Sequence, residues 1–215
     1  MGTAGMDPFL GSSRYIDADH PEVMRKAREL ARGCADAETV ARNCFLFVRD
    51  DIRHSWDWRQ NPVTCTASDV LRHGTGFCYA KSHLLAALLR ACGIPAGLCY
   101  QRLQVEPGDE RFCLHGLNAV LLPGWGWLRV DARGNKEGVD ARFQPPQERL
   151  AFDLNPGEID LPGIWPEPLD VVIRVLSGCA TVEETFARLP DLDPIHWPPP
   201  VVSWERGPQD NASHA

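Results

Sequence analysis

Helices before residue 92, strands after residue 96 and one helix with an unbroken apolar run at the join predict an α+β fold. The helix is read from Arg72-His-Gly-Thr-Gly-Phe-Cys-Tyr-Ala-Lys-Ser-His-Leu-Leu-Ala-Ala-Leu-Leu-Arg-Ala-Cys-Gly-Ile-Pro-Ala96, in which every residue from Leu84 to Leu89 is apolar. A surface helix keeps one polar face; this stretch has none, so it is expected to run through the middle of the domain. Thr75 or Gly76 is the expected cap, Gly93 the stop, and Pro95 prevents a restart. After Pro95 the apolar period changes from 3.6 to 2, giving strands over Gly97–Val105, Phe112–Leu122 and Trp125–Asp131.

The remaining elements follow from their punctuation. Residues 1–18 read as a loose arm. Asp19-His-Pro-Glu22 starts a helix with a capping acid and an early proline, and Val23, Met24, Ala27, Leu30 and Ala31 carry it to Gly33. Asp36 caps a second helix with an apolar face from Val40 to Val48. The polar, aromatic run Ile52–Pro62 is expected as a loop, and Thr66-Ala-Ser-Asp69 opens a short helix ending near Gly74. Turns are expected at Pro107-Gly108-Asp109 and at Pro123-Gly124. Val171–Leu176 suits either a strand or a helix. Thr181-Val-Glu-Glu184 is a capping box for a helix ending by Pro190, and four prolines between Pro194 and Pro200 make a rigid extended segment before ten mobile terminal residues.

The chain has 215 residues, 44% of them hydrophobic, and a net charge of −7, which argues against a nucleic-acid or membrane-surface role. One domain over 1–215 is expected, with its motif core at about 66–135 and a proline-rich extension over about 190–215. No run suits a membrane span, and the first residues lack the basic and apolar regions of a signal peptide. The eight cysteines fall largely within apolar patterns with no Cys-x-x-Cys, so free thiols in the cytoplasm are expected.

Cys78 falls in the first turn of the buried helix, where free N–H groups and the positive dipole end favour an anion. His115 and Asp131 are 16 residues apart with their midpoint at residue 123, inside the expected turn. In a regular antiparallel hairpin that puts them opposite each other on one face, with Cβ atoms roughly 5 Å apart. A thiol, an imidazole and a carboxylate so placed form a nucleophile, a base and an orienting acid. The backbone N–H of Cys78 is one oxyanion donor, and His54, Trp56, Trp58 and Gln60 are candidates for the second and for lining the cleft. No pair of Cys or His residues has the short spacing that zinc favours, so neither a metal nor another cofactor is expected.

Gly76-Phe-Cys78 with the helix text after it, His115-Gly-Leu-Asn-Ala-Val and Gly126-Trp-Leu-Arg-Val-Asp131 resemble the core motifs of the transglutaminase-like superfamily. The similarity is greatest to the bacterial branch of transglutaminase-like cysteine proteases. The resemblance implies a papain-like fold in which the helix bearing Cys packs on an antiparallel sheet bearing His and Asp. It implies Cys78 as nucleophile, His115 as base and Asp131 as orienting acid. The expected activity is hydrolysis of an amide, peptide or isopeptide-type bond through a thioester on Cys78, with a peptide or protein substrate or a small amide or amine. Two alternatives are an acyltransferase, of transglutaminase or arylamine N-acetyltransferase type, and a catalytically silent binding domain. Many relatives read His-Ala-Trp where this chain has His115-Gly-Leu, and Gly116 and Leu117 are expected to leave an open wall that admits water. The calcium sites and β-domains of the large transglutaminases have no counterpart here.

Overall fold

The computed structural model describes residues 7–106 and 108–203. The final ten residues, residues 1–6 of the expected arm and Pro107 of the expected turn lie outside the described residues.

The first helix, α1 (Pro21–Leu30), is capped by His20, whose Nδ1 accepts the Glu22 N–H; Asp19, the expected cap, instead accepts from the Ser12 hydroxyl. Asp36 caps α2 (Ala37–Leu46) as predicted, accepting the Thr39 N–H at 2.7 Å. A π-type turn, Phe47–Asp51, continues it. The Arg53–Gln60 run is ordered rather than a loop: β1 (Arg53–His54) is followed by one helical turn, α3 (Ser55–Trp58). Thr66 caps α4 (Ala67–His73), and Gly74 ends it at φ +65, a conformation that costs glycine least.

Next come β2 (Thr75–Gly76), parallel to β1, and the central helix α5 (Cys78–Ala91). Phe77 is the N-cap residue and Cys78 is the first helical residue. The expected caps have other partners, because Thr75 and Gly76 pair with Arg53 and His54, and the Thr75 hydroxyl donates to the Arg53 carbonyl. Gly76 serves helix packing rather than substrate approach, since a Cβ there would sit 3.2 Å from both Ala80 Cβ and Thr64 Oγ1. Every α5 residue from Cys78 to Arg90 is buried. Each buried leucine contributes roughly 1.5–3 kcal/mol of transfer free energy, which makes α5 the core of the fold.

The sheet is antiparallel and has the order β5 (Gly126–Val130), β4 (Phe112–Leu122), β3 (Ala96–Gln104), β8 (Ile159–Asp160). Two short pairs stand as separate two-stranded sheets: β6 (Arg142–Gln144) with β7 (Gln147–Arg149), and β9 (Gly163–Ile164) with β10 (Val202–Ser203). The main core lies between α5, the other helices and one sheet face; a smaller core of Phe9, Cys99, Leu117, Ala119 and Ile164 covers the other face. From residue 7 the N-terminal segment is therefore anchored rather than loose, with Phe9 and Ile16 fully buried. The Val171–Leu176 ambiguity resolves as helix, α6 (Asp170–Gly178), and the capping box opens α7 (Val182–Ala187), where Thr181 accepts the Glu184 N–H.

The β4–β5 register differs from the expected one. Asn118 pairs with Val130 and Leu122 with Gly126, leaving three residues in the turn. Continuing that register sets Asp131 opposite Leu117, two residues from His115. Side chains repeat every two residues along a strand, so a two-residue shift keeps both groups on one face. Asp131 lies just past the end of β5, not within it.

Candidate active site

Cys78 and His115 line one cavity of about 440 Å³ between the first turn of α5, β4 and the 151–158 segment. His115 Nε2 lies 2.7 Å from Asp131 Oδ2. Behind the histidine, Asp131 is fully buried and accepts two more bonds, from the Arg133 N–H at 3.1 Å and the Ala151 N–H at 3.0 Å. Phe152 stands edge-on to the imidazole, with ring centroids 5.0 Å apart. Burial alone would lower the affinity of His115 for a proton, but the charges of Asp131 and Cys78 outweigh it and raise its pKa. Burial pushes the Asp131 carboxyl up, and His115 together with the two backbone N–H groups holds it below its usual value.

Cys78 Sγ accepts the Gly116 N–H at 3.4 Å. That contact exists because Gly116 faces the helix, not the cavity; a Cβ there would lie 3.0 Å from Tyr79 Cα. Leu117 is fully buried in the second core. The open wall expected from Gly116 and Leu117 is therefore not present at those residues. Instead the cavity has an aromatic side, where Trp56 stacks on Phe186 at 3.5 Å with Arg59 3.2 Å above the Trp56 ring.

Of the four cleft candidates, His54 and Trp56 line the cavity. Trp58 is 61% exposed with Arg53 over its ring, and Gln60 Nε2 points to the His73 carbonyl at 3.5 Å; neither lines the cavity. Trp58 misses because α3 curls the segment into a helical turn, which sends it to the side away from Trp56, and Gln60 lies beyond the left-handed Arg59 that ends the turn. His54 is buried, and burial followed by the Arg133 charge pulls its pKa well below the imidazole value, so it is neutral.

Asp57, Arg133 and Lys136 carry no signal in the sequence. Arg133 clamps Asp57 through two bonds of 2.6 and 3.0 Å, and Lys136 adds a third at 2.9 Å. These partners are separated by 76 and 79 residues, beyond any local pattern. Cys113 also lines the cavity, on the same strand face as His115, and its thiol is pushed up to about 12, mainly by burial. Period-2 spacing from His115 was the available signal for it. No group of His, Cys, Asp and Glu suited to a metal occurs among the described residues.

No curated protein matches the chain. Among solved structures it is similar to a "putative cysteine protease" from Cytophaga hutchinsonii, with 21% identity and a TM-score of 0.51, covering 62% of this chain and 43% of that one. It is also similar to the periplasmic domain of TgpA from Pseudomonas aeruginosa, with 20% identity and a TM-score of 0.46, covering 61% and 48%. The chain thus spans less than half the length of either structure. At this identity the first of these speaks to the fold alone, and it agrees with the helix-on-sheet arrangement described above. The core model of the transglutaminase-like superfamily matches residues 25–132, half of the chain, and with it the helix and both strands of the site: the protein belongs to the transglutaminase-like superfamily.

Proposed function

We propose that this protein is a thiol-dependent hydrolase of amide or peptide bonds, with Cys78 as nucleophile, His115 as base and Asp131 as orienting acid. The observation that carries the reading is the 2.7 Å bond from His115 Nε2 to Asp131, with His115 and Cys78 on one cavity. With Nε2 committed to the carboxylate, Nδ1 is the nitrogen left to take the thiol proton. Cys78 Sγ then attacks the carbonyl carbon, and the imidazolium returns the proton to the leaving amine as the C–N bond breaks. Water, deprotonated by the same imidazole, releases the acid and restores the thiol. The Cys78 N–H at the helix start has no intrahelical acceptor and suits one side of the oxyanion. His54 and Trp56, each with an N–H and a place on the cavity, are the second-donor candidates that remain.

The test is mapping of all eight cysteines after brief iodoacetamide treatment near pH 6. Cys78 is expected to be alkylated ahead of Cys44, Cys65, Cys99 and Cys113, whose thiols are pushed up chiefly by burial or by a neighbouring thiol. Labelling that spares Cys78 or spreads evenly would refute the assignment and favour a binding domain of the same fold.

A second reading has an amine in place of water. The Trp56–Phe186 stack favours it, because an aromatic wall sheds water from a thioester. The name of the Cytophaga protein favours hydrolysis. Product partition decides: with an activated acyl substrate and a millimolar primary amine, acid is expected to exceed amide. Mostly amide would move the chain to the transferases.

A further inference from the structure

Lys81 takes no part in the chemistry above, yet it is buried without any exposure one helical turn after Cys78. An ammonium in a core is costly unless its N–H groups find acceptors. Lys81 Nζ finds two carbonyls, donating to Ile52 and lying 3.3 Å from the Arg49 oxygen. A third segment reaches the same junction. A Cβ on Gly134 would lie 3.3 Å from both Nζ and the Arg49 oxygen, so the backbone that follows Asp131 packs directly against this junction.

Three segments that carry the site therefore meet at one side chain. The first is the π-type turn leading to β1 and His54. The second is the first turn of α5 with Cys78. The third is the turn from Asp131 through Arg133 to Gly134. We propose that Lys81 is a positioning residue, whose ammonium holds the Asp131 turn and the His54 strand in place against the helix that presents Cys78. The proposal rests on the reading of Cys78 as nucleophile.

The charges facing Lys81 come from each of these neighbours: Arg133 and Asp131 from the turn, Asp50 from the π-type turn and Asp57 from α3. Burial lowers its pKa to about 7, and Arg133 also lowers it, while the three carboxylates work in the opposite direction. Loss of the proton does not remove the N–H donors, but a charge-assisted hydrogen bond is roughly twice as strong as a neutral one. The ties should loosen across neutral pH. Neither histidine of the site changes charge there, because His54 is lowered well below that range and His115 is raised above it.

The experiment is the rate of Cys78 alkylation by iodoacetamide from pH 5.5 to 9, for the wild type and for Lys81→Met, with near-UV circular dichroism to establish folding. For the wild type, a several-fold fall in rate centred near pH 7 is expected. Lys81→Met should fold and show a rate at pH 6 about tenfold lower, with no fall near pH 7. A folded Lys81→Met protein with the wild-type rate and profile would overturn the proposal while leaving Cys78 as nucleophile. If the variant does not fold, the wild-type profile decides alone, and a rate that rises steadily from pH 6 to 8 overturns the proposal. Cys78 unreactive in the wild type at every pH overturns both readings.

Discussion

Asp131→Asn is expected to fold and to lose on the order of a thousandfold or more in the rate of acyl-enzyme formation. The loss follows from the tautomer. Asp131 Oδ2 accepts from both His115 Nε2 and the Ala151 N–H, and Oδ1 accepts from the Arg133 N–H. An amide can keep the Arg133 contact only by turning its NH₂ toward His115 and Ala151. Facing a donor, Nε2 must become an acceptor, its proton moves to Nδ1, and the nitrogen meant to take the thiol proton is already protonated. The Ala151 N–H is left without its acceptor, at a cost of about 1–3 kcal/mol.

The pair also fixes how stability depends on pH. His115 is raised above its ordinary 6.5, so its contribution is complete below that value and is lost as pH climbs through the folded value. Asp131 is lowered from 3.8, so its contribution is present above that value and lost as pH falls through the lower folded one. The stability gap between wild type and Asp131→Asn should thus be widest from about pH 4 to 6.5 and narrow on both sides. Denaturant titrations over that range, with acylation rates on the same samples, check both parts. A folded variant with near-normal rates would show that the carboxylate does not set the tautomer.

Gly116→Ala is expected to keep the fold yet slow Cys78 alkylation at pH 6 by about tenfold. The added methyl would lie 3.0 Å from Tyr79 Cα and 3.2 Å from Tyr79 N, backbone atoms that cannot swing aside. The Tyr79 ring is no easier to move, being fully buried with its hydroxyl on the Leu114 carbonyl. The first turn of α5 must therefore retreat from β4 by a few tenths of an ångström. That lengthens the 3.4 Å contact from the Gly116 N–H to Cys78 Sγ and shifts the thiol relative to His115. A misplacement of about 1 Å at a reacting centre costs on the order of a hundredfold, so a smaller one should cost about a tenth of that. Overpacking of this kind costs about 1–3 kcal/mol in stability, which thermal unfolding would show. Unchanged alkylation in Gly116→Ala would mean that the helix–strand spacing is set elsewhere.

The elements that could be read from the chain are those whose cause is local. Asp36, Thr66 and Thr181 each accept a backbone N–H three residues on, so a residue type and an offset suffice to find the helix starts. The apolar run through Leu89 marked α5 as buried because no arrangement gives it a wet face. Period-2 spacing put His115 on one strand face and carried Asp131 to the same side, and a register error of two residues left that conclusion standing. An error of one would have reversed it.

What the sequence by itself determined was therefore the order of the four longer helices before residue 92 and the three long strands after it, the buried helix, its cysteine at the first turn and the shared face of His115 and Asp131. These depend on interactions between residues a few positions apart or on a strict period. Tertiary structure alone decided the cap of α5, because Thr75 and Gly76 are held by β1, some twenty residues away. It decided that Gly116 faces Tyr79 rather than the cavity, and that Trp56 lines the cavity while Trp58 faces out. It also brought Asp57 to Arg133 and Lys136, and the Lys81 ammonium to the Ile52 carbonyl. Each of these pairs segments far apart in the chain. Such contacts are chosen by which surfaces the core brings together once α5 is buried, and no local periodicity encodes that choice.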